Sequence, residues 1–294
     1  MMSGRWMMLR SWLLLAPLLA VMTFIIGWPL AKTVGVSFTD AKLIGGDVNW
    51  VGTDNFARVL SSSMFWNVIW TTIRFVLISV TAEFAIGLGA ALLLDQKFVG
   101  RNLLRALLIL PWALPTVVNA TMWRLIYNPD FGAFNALLTQ TGLIDSYRSW
   151  LGEPGAALLA VCLADVWKNF PLVTLIALAA LQSVPRELHA AAVIDGAGPW
   201  SRFRAVVLPY LIGPLTVAIV LRTIEAFKVF DIIWVMTRGG PANSTKTVSM
   251  LVYEQAFSFQ KAGIGASVAL VMVLVSSLLI AGCVGLLRRQ GEFR

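Results

Sequence analysis

The segment ELHAAAVIDGAGPWSRFRAVVLP (residues 187–209) is rich in alanine, carries a few charges and separates two long apolar runs. Alanine has the highest helix propensity, and Pro185, just before the segment, suits the first turn of a helix. Gly196 provides the left-handed conformation with which many helices end. The segment therefore predicts one short helix that stops at Gly196. A second short segment runs from Pro199 to Pro209, where the next apolar run begins.

The composition of the chain is that of a membrane protein. Of its 294 residues, 58% are hydrophobic and 13% are charged, whereas soluble domains have about 45–50% apolar residues. Cys162 and Cys283 each lie within an apolar run and lack the paired spacing of a metal or redox site, which favours packing as small apolar side chains. The net charge of +8 is typical of a topology signal in such proteins and does not indicate a nucleic-acid partner.

Six stretches are long enough to cross a bilayer as helices, because about 20 residues at 1.5 Å each span a hydrocarbon core of about 30 Å. The first exceeds the apolar core of a signal peptide and lacks a clear A-x-A cleavage site, so we favour an uncleaved span over a cleaved signal. We expect an all-α polytopic protein with a single transmembrane domain over residues 1–294. The predicted spans are 11–36, 67–94, 104–127, 157–182, 209–235 and 264–287, with a loop at 183–208 between the fourth and the fifth.

The basic residues assign the loops to the two sides of the membrane. Lysine and arginine accumulate in cytoplasmic loops, and one side of the six-span arrangement is basic, whereas the loops on the other side mix basic and acidic residues. The basic side carries Arg5, Arg10, Lys97, Arg101, Arg105, Arg186, Arg202, Arg204, Arg288, Arg289 and Arg294. This pattern predicts that both termini and the loop at 183–208 are cytoplasmic.

The chain lacks the residues of an enzyme site. His189 is the single histidine, so neither a histidine metal cluster nor a Ser-His-acid triad can form within the chain. The stretch Gly239-Gly240-Pro241 with Ser244-Thr245-Lys246 lacks the spacing of a phosphate-binding loop. We therefore expect no enzymatic activity, no metal and no cofactor in this chain. Any nucleotide would be bound by another chain.

The loop at 183–208 has two interpretations on physical grounds. Its small side chains allow a backbone to approach a partner closely, and Phe203, Val206 and Val207 form an apolar ridge at helical spacing, which suits a short helix pair that docks into a cleft. The alternative is an amphipathic loop that rests on lipid headgroups.

The same loop resembles the EAA loop of binding-protein-dependent ABC importer permeases. Ala191, Ala192, Asp195, Gly196 and Ala197 match that motif, as do Leu208 and Pro209 at its end, with Val206 in the isoleucine position. Ala190 occupies the position of the family's glutamate, which is a departure, and Glu187 is the nearest acid. The resemblance implies that the loop couples to an ATPase subunit through Arg186, Glu187, Ala191, Ala192, Asp195, Gly196, Ala197 and Phe203.

Two further stretches are similar to the carbohydrate group of these permeases, of the maltose and glycerol-3-phosphate first-permease type. They are RALLILPWALPTVVNATMWRLIYNPDFGAFNALL (105–138) and FKVFDIIWVMTRGGPANSTKTVSMLVYEQAF (227–257). The resemblance implies a type I ABC importer permease fold in the inner membrane of a bacterial cell. It also implies pairing with a second homologous permease, two ATPase subunits that bind ATP and magnesium, and a periplasmic or extracellular solute-binding protein.

Ionisable residues inside spans are candidates for lining a solute path, because each costs about 2.5–3.5 kcal/mol in lipid and normally faces protein or water. Span 4 carries Asp165, Trp167, Lys168 and Asn169. Span 5 carries Arg222, Glu225, Lys228 and Asp231 at three-residue intervals. Successive members can pair, yet Arg222 and Asp231 point to opposite sides of one helix. A salt-bridged ladder that packs span 5 and contact with a solute therefore both stay open.

A sugar site needs hydrogen-bonding groups beside flat apolar faces. Asn119 and Trp123, one turn apart on span 3, could supply both together with Trp167, Lys168 and Asn169. Alternatively, Trp123 belongs to the aromatic belt at the membrane interface. Proline and glycine residues interrupt spans 3 to 5 and often border a pathway or a hinge, although plain kinks are as common; they are Pro111, Pro115, Pro171, Gly213 and Pro214.

The leading interpretation is a permease subunit that moves a sugar, polyol or sugar derivative into the cytoplasm by alternating access, with ATP hydrolysed by a partner. Lys168 and Arg222 leave an anionic solute open, unless Asp165 or Glu225 neutralises them. The alternative class is a stand-alone secondary transporter or channel, which would need no cytoplasmic docking partner. A membrane-bound enzyme has no group of residues to support it.

Overall fold

The computed structural model describes residues 4–291, and within this range the regular structure is helical. Side chains near both ends lie outside the described part, among them the predicted topology signals Arg5, Arg10, Arg288, Arg289 and Arg294, and also Cys283. An isolated antiparallel bridge joins Thr39 to Trp50.

Fourteen α-helices follow one another within the described residues, with three π-helical turns among them. The first seven are α1 (Gly4–Met22), α2 (Trp28–Ser37), α3 (Asp54–Ser61), α4 (Ser63–Asp95), α5 (Arg101–Ala113), α6 (Thr116–Ile126) and α7 (Ala133–Gln140). The others are α8 (Pro154–Gln182), α9 (Arg186–Ile194), α10 (Pro199–Arg202), α11 (Leu208–Phe227), α12 (Asp231–Met236), α13 (Val248–Tyr253) and α14 (Ala262–Gly291). The π-helical turns are Thr23–Gly27, Phe203–Val207 and Glu254–Ser258.

Five helical segments of the described chain are long and apolar enough to cross a bilayer. They are Leu14–Ser37, Ser63–Asp95, Pro154–Gln182, Pro199–Phe227 and Ala262–Gly282. The bent pair α5 and α6 makes a sixth if it is counted as one span. The all-α polytopic fold predicted from the sequence is therefore confirmed.

The predicted third span is not a straight helix. Its two halves, α5 and α6, meet at an angle of 98°. Leu114 adopts an extended conformation (φ −71°, ψ 137°), because the ring of Pro115 excludes helical geometry from the residue before it. The other prolines do not interrupt their spans: Pro111, Pro171 and Pro214 lie inside helices that continue through them.

The predicted fifth span starts earlier and ends earlier than expected. It ends at Phe227, and α12 begins only at Asp231, so a single helix over 209–235 was wrong. At its start, α10, a π-helical turn and α11 form one continuous segment, so Pro209 does not separate a loop helix from the span.

Two of the π-helical turns explain how a helix passes a proline. Thr23–Gly27 ends two residues before Pro29, and Phe203–Val207 ends two residues before Pro209. In each turn an amide bonds the carbonyl five residues back, from Trp28 to Thr23 and from Leu208 to Phe203. A proline has no N–H to donate to the carbonyl four residues earlier, and its ring clashes with that carbonyl in a regular α-helix. The wider turn accommodates the ring without ending the helix.

The chain separates into two compact units, of which the first comprises the residues up to Ser63 and Leu251–Met272. This unit contains a buried hydrogen-bond network centred on Asn55, whose side-chain amide donates to the carbonyls of Ser37 (2.9 Å) and Thr39 (2.7 Å). The hydroxyl of Ser267 also donates to the Ser37 carbonyl, at 3.0 Å. Nearby, hydrogen bonds from Asn49 hold the pKa of the exposed Asp40 carboxyl below its ordinary value of 3.8.

The second unit comprises Met64–Met250 and the chain from Val273. Helix α8 lies at its centre and packs against α5, α6, α11 and α12, with most of its side chains buried. A helix that is apolar on all sides is the expected centre of a bundle. The charged residues of α8 are therefore held inside this unit.

Candidate functional site

A buried arginine joins three helices of the second unit. Arg222 of α11 donates to both carboxylate oxygens of Glu83 in α4, from Nε to Oε2 at 2.7 Å and from Nη2 to Oε1 at 2.8 Å. Its Nη2 also lies 3.3 Å from Asp165 Oδ2 in α8, and its Nη1 lies 2.7 Å from Glu225 Oε2. We call these four residues the arginine cluster. Its guanidinium thus contacts three carboxylates at once.

Close packing of α4 against α8 lets these side chains meet. Gly87 lies one turn after Glu83, and a Cβ at this position would come within 2.8 Å of the Val173 Cβ in α8. The absence of a side chain therefore permits the approach. On α8, the Asn169 amide donates to Asp165 Oδ1 and to the Asp165 carbonyl, both at 2.9 Å, which fixes the carboxylate that faces Arg222.

The arginine cluster is buried on one side and open on the other. The Glu83 side chain is fully buried, whereas that of Glu225 is 53% exposed. The Glu225 carboxylate is therefore exposed on one side, and on its other side it accepts a hydrogen bond from Arg222. Lys168, one turn along α8 from Asp165, is half-buried, and it offsets part of the negative charge.

The salt-bridged ladder predicted on span 5 is present only in part. Arg222 and Glu225 pair as expected. Lys228 caps the end of α11, and Asp231 opens α12; both side chains are exposed. The ladder fails at Lys228 because the helix ends there, so the four residues do not share one helical register.

Part of the predicted aromatic and amide group, namely Asn119, Trp123 and Trp167, assembles between α6 and α8, whereas the Asn169 amide bonds Asp165 instead. Trp123 and Trp167 meet edge to face with their ring centroids 5.9 Å apart. Asn119 is fully buried, and its amide donates to the Ala164 carbonyl at 3.3 Å. Asn119 Oδ1 and Trp123 Nε1 are buried and form no hydrogen bond within the described part of the chain. One acceptor and one donor, a turn apart, are thus left without a partner.

The loop at 183–208 contains the predicted helix with its predicted stop. Helix α9 ends in a left-handed Gly196 (φ 72°). The amide of Gly196 donates to Val193 at 3.1 Å, and that of Ala197 donates to Ala192 at 2.9 Å. This bond pair is the Schellman motif of helix ends. Arg186, Glu187, Ala191, Asp195 and Gly196 are exposed, and Ala192 and Ala197 are half-buried.

Phe203 does not join the exposed surface of this loop. It packs against the apolar core that contains Leu181, Val207 and Leu211, because the continuous helix from α10 to α11 turns this face inward. Trp200 stacks on Phe203 with ring centroids 5.7 Å apart and is itself 72% exposed. Phe203 therefore anchors the loop, and Trp200 and the exposed Ile194 form its outer apolar surface.

Sequence reasoning missed Glu83, Ile194 and Trp200. The signal for Glu83 was present, because it is a single acid within a long apolar run, and such residues normally have a buried partner. Its partner could not be found from spacing, since Glu83 and Arg222 are 139 positions apart. Ile194 and Trp200 became visible only once the loop geometry was known.

The geometry defines a class of protein before any comparison. Within the described residues, the chain is a helical membrane protein with a buried charged cluster and an exposed helical loop. It offers no group of three or more metal-ligating side chains among those residues. Buried charged residues of this kind are typical of membrane proteins that carry solutes or ions across the bilayer.

Comparison with known proteins identifies the family. The model of the binding-protein-dependent transport system inner membrane component family matches residues 83–290, so the chain belongs to this family. It is a permease of an ABC importer, which decides against a stand-alone secondary transporter or channel.

Curated relatives match nearly the whole chain. The trehalose/maltose transport system permease protein MalF of Thermococcus litoralis is 41% identical over 271 residues, which cover 92% of this chain and 91% of that protein. The sulfoquinovosyl glycerol transport system permease protein SmoG of Agrobacterium fabrum is 34% identical over 279 residues, covering 95% and 90%.

Solved structures agree on the fold. A permease chain of a bacterial ABC transporter involved in the import of the acidic polysaccharide alginate superposes with a TM-score of 0.80, at 21% identity, and covers 95% of this chain and 96% of that one. The same kind of transporter in complex with a periplasmic protein bound to an alginate pentasaccharide gives 0.82 at 20% identity, covering 96% of both chains. The type I importer permease fold is thus confirmed.

Proposed function

We propose that this permease moves a sugar, polyol or sugar derivative into the cytoplasm by alternating access, in the inner membrane of a bacterial cell. The whole chain, 1–294, works as one transmembrane domain beside a second homologous permease. ATP and magnesium are bound and hydrolysed by two partner ATPase subunits, and a solute-binding protein delivers the solute from outside. The names of the relatives support the solute class, and the exposed α9 loop supports the coupling role.

Within the structure, the observation that supports a hydroxyl-rich solute is the half-exposed carboxylate of Glu225. Arg222 holds it at 2.7 Å from behind, which limits its motion while leaving its other lone pairs free. Ionised acceptors form strong hydrogen bonds with hydroxyl groups. The exposed carboxylate therefore suits a hydroxyl-rich solute. Asn119 and Trp123 on α6 add a separate acceptor and donor beside aromatic rings, both buried in this structure.

The arginine cluster favours a neutral solute over an anionic one. Arg222 is buried and contacts three carboxylates, so its charge is already neutralised. Lys168 lies one turn along α8 from Asp165 and is half-buried. A sulfonate or phosphate that approaches the open side of the cluster would meet the exposed Glu225 carboxylate, which repels it. We therefore propose a neutral saccharide or polyol.

Uptake by the reconstituted transporter tests this function. With the partner subunits and the binding protein present, maltose and trehalose serve as probe solutes. Glu225→Gln is expected to lower uptake about tenfold, equivalent to about 1.4 kcal/mol, because an amide accepts hydroxyl hydrogen bonds more weakly than a carboxylate. Asp231→Asn is the matched control, since Asp231 is exposed on the next helix, and it should leave uptake unchanged.

Two further results bear on the proposal. Lys168→Met should leave the preference for neutral over anionic sugars unchanged, and a switch in preference would contradict the neutral solute. Uptake that proceeds without ATP would contradict the coupling to a partner ATPase.

A further inference from the structure

A cavity of about 520 Å³ opens where α6 ends, between the turn that follows it, the loop before α8 and the end of α12. Thr121, Arg124, Asn128 and Ser149 line it with polar groups, and Leu151 and Met236 are among its apolar lining. Ligand clefts usually enclose about 300–1,000 Å³, so the cavity is large enough for one small molecule. All of its lining belongs to the second unit.

The polar groups of this cavity are mainly hydrogen-bond donors with spare capacity. Arg124 is exposed, has no carboxylate partner within the described residues, and donates only one long bond, of 3.4 Å, to the Val235 carbonyl. The side-chain oxygen of Asn128 accepts from the amides of Asp130 and Phe131 at 2.8 and 3.1 Å. Its NH₂ group is therefore left for another acceptor. The Ser149 hydroxyl is exposed beside them.

The polar lining of the cavity lies on a different face of α6 from Asn119 and Trp123, and Tyr127, which also lines the cavity, packs its ring on Trp123 with the centroids 5.3 Å apart. Successive residues of a helix lie about 100° apart, so Thr121 and Arg124 occupy a different face of α6. The exposure of these side chains agrees with two different helix faces, because Asn119 is fully buried, whereas Thr121 and Arg124 are exposed. The charge pattern places the end of α6 and the loop before α8 on the outer side of the membrane.

We propose that this cavity binds one sugar ring at the outer mouth of the permease, before the solute reaches the middle of the membrane. The guanidinium of Arg124, the Asn128 amide and the Ser149 hydroxyl bond the hydroxyl rim of the ring. Leu151 and Met236 contact its C–H face. This inference rests on the proposed sugar transport and adds a second, outer subsite to it.

Protection of an introduced thiol tests the outer subsite. Ser149→Cys is made in the assembled transporter with both native cysteines replaced by alanine, and is labelled with a membrane-impermeant maleimide in the absence of binding protein and ATP. Maltose or trehalose at about ten times its Kd should slow labelling about tenfold, because only about a tenth of the sites stay empty. Ser146→Cys is the control, since Ser146 is exposed in the same loop outside the cavity.

Two companion variants separate this subsite from the proposed function. Protection at position 149 should persist with Glu225→Gln and should need about tenfold more sugar with Arg124→Leu. Uptake assays in the same preparation report on sugar transport itself, so uptake without protection would overturn the outer subsite alone. The subsite is also overturned if the sugars slow labelling equally at both positions, if Glu225→Gln abolishes protection, or if sulfate protects and the sugars do not.

Discussion

At the scale of single residues, the arginine cluster shows how a charged group can be stable inside a membrane protein. The guanidinium of Arg222 is buried, yet its three nitrogens have carboxylate partners in the cluster. A buried ion pair contributes little net stability compared with apolar residues of the same size, but the loss of one partner costs about 3–5 kcal/mol because the other charge is left uncompensated. The main contribution of Arg222 to stability is therefore that it neutralises the buried carboxylates of Glu83 and Asp165, rather than that the ion pairs themselves add net attraction between the helices.

Replacing Arg222 tests this view. Arg222→Met is expected to lower the free energy of unfolding by about 3–5 kcal/mol, measured by thermal or denaturant unfolding of the purified permease in detergent. The double variant with Glu83→Gln should recover part of that loss, because one uncompensated carboxylate is removed. Lys228→Met, at an exposed position at the end of the same helix, should unfold like the parent. If Arg222→Met were as stable as Lys228→Met, the cluster would not hold the helices together.

At the scale of elements, the distance between neighbouring backbone segments determines which glycines can be replaced by a residue with a side chain. In the first unit, a Cβ on Gly263 would lie 2.0 Å from the Thr39 carbonyl oxygen. Its amide also donates to the Ala41 carbonyl at 3.0 Å. The start of α14 therefore packs directly on the chain that follows α2, with no room for a side chain.

Gly263→Ala should accordingly destabilise the first unit, because backbone must move to admit the methyl group. Gly282→Ala lies on the same helix, where a Cβ would meet nothing within 4 Å, and it should be neutral or stabilise by about 0.5–1 kcal/mol through higher helix propensity. Hydrogen exchange of residues 37–55 measures the difference. Equal protection in both variants would contradict the close approach.

The end of α9 gives a second matched pair of glycines. Gly196 is left-handed, whereas Gly198 has ordinary backbone angles (φ −68°), and a Cβ at either position would meet open space. Gly196→Ala therefore strains the loop by about 1 kcal/mol through backbone alone. It should lower solute-stimulated ATPase activity about fivefold with the chain still inserted, whereas Gly198→Ala should not. Equal activity in both variants would show that the loop geometry does not govern coupling.

The elements also show which parts of the fold could be predicted from the sequence. Hydropathy found the long apolar helices because burial in lipid imposes composition on each one separately. Pro115 was visible in the sequence as a break in span 3, but the 98° angle of the bend and the end of α11 at Phe227 depend on tertiary packing. Among the site residues, Gly196 was predictable from local backbone chemistry. The pairing of Glu83 with Arg222 was not, because it depends on contact between distant helices.

At the scale of the whole molecule, the charge pattern predicts an orientation that also determines the direction of transport. Ser146 belongs to a loop on the outer side in this arrangement, and Ser201 belongs to the cytoplasmic loop. Both side chains are exposed. With the native cysteines replaced by alanine, Ser146→Cys should react with an impermeant maleimide in intact cells, and Ser201→Cys should react only after permeabilisation. The reverse labelling would invert the topology.

The 139 positions between Glu83 and Arg222 also determine the order of events during synthesis. At about 5–20 residues per second, Arg222 emerges about 7–28 s after Glu83. The carboxyl of Glu83 thus enters the membrane long before its partner exists. A nascent chain that has completed α4 and α8, but not α11, carries two unmatched acids in adjacent helices. We therefore expect α4 to stay close to the insertion machinery until α11 arrives, and chains truncated before Arg222 to be preferred targets of membrane proteases.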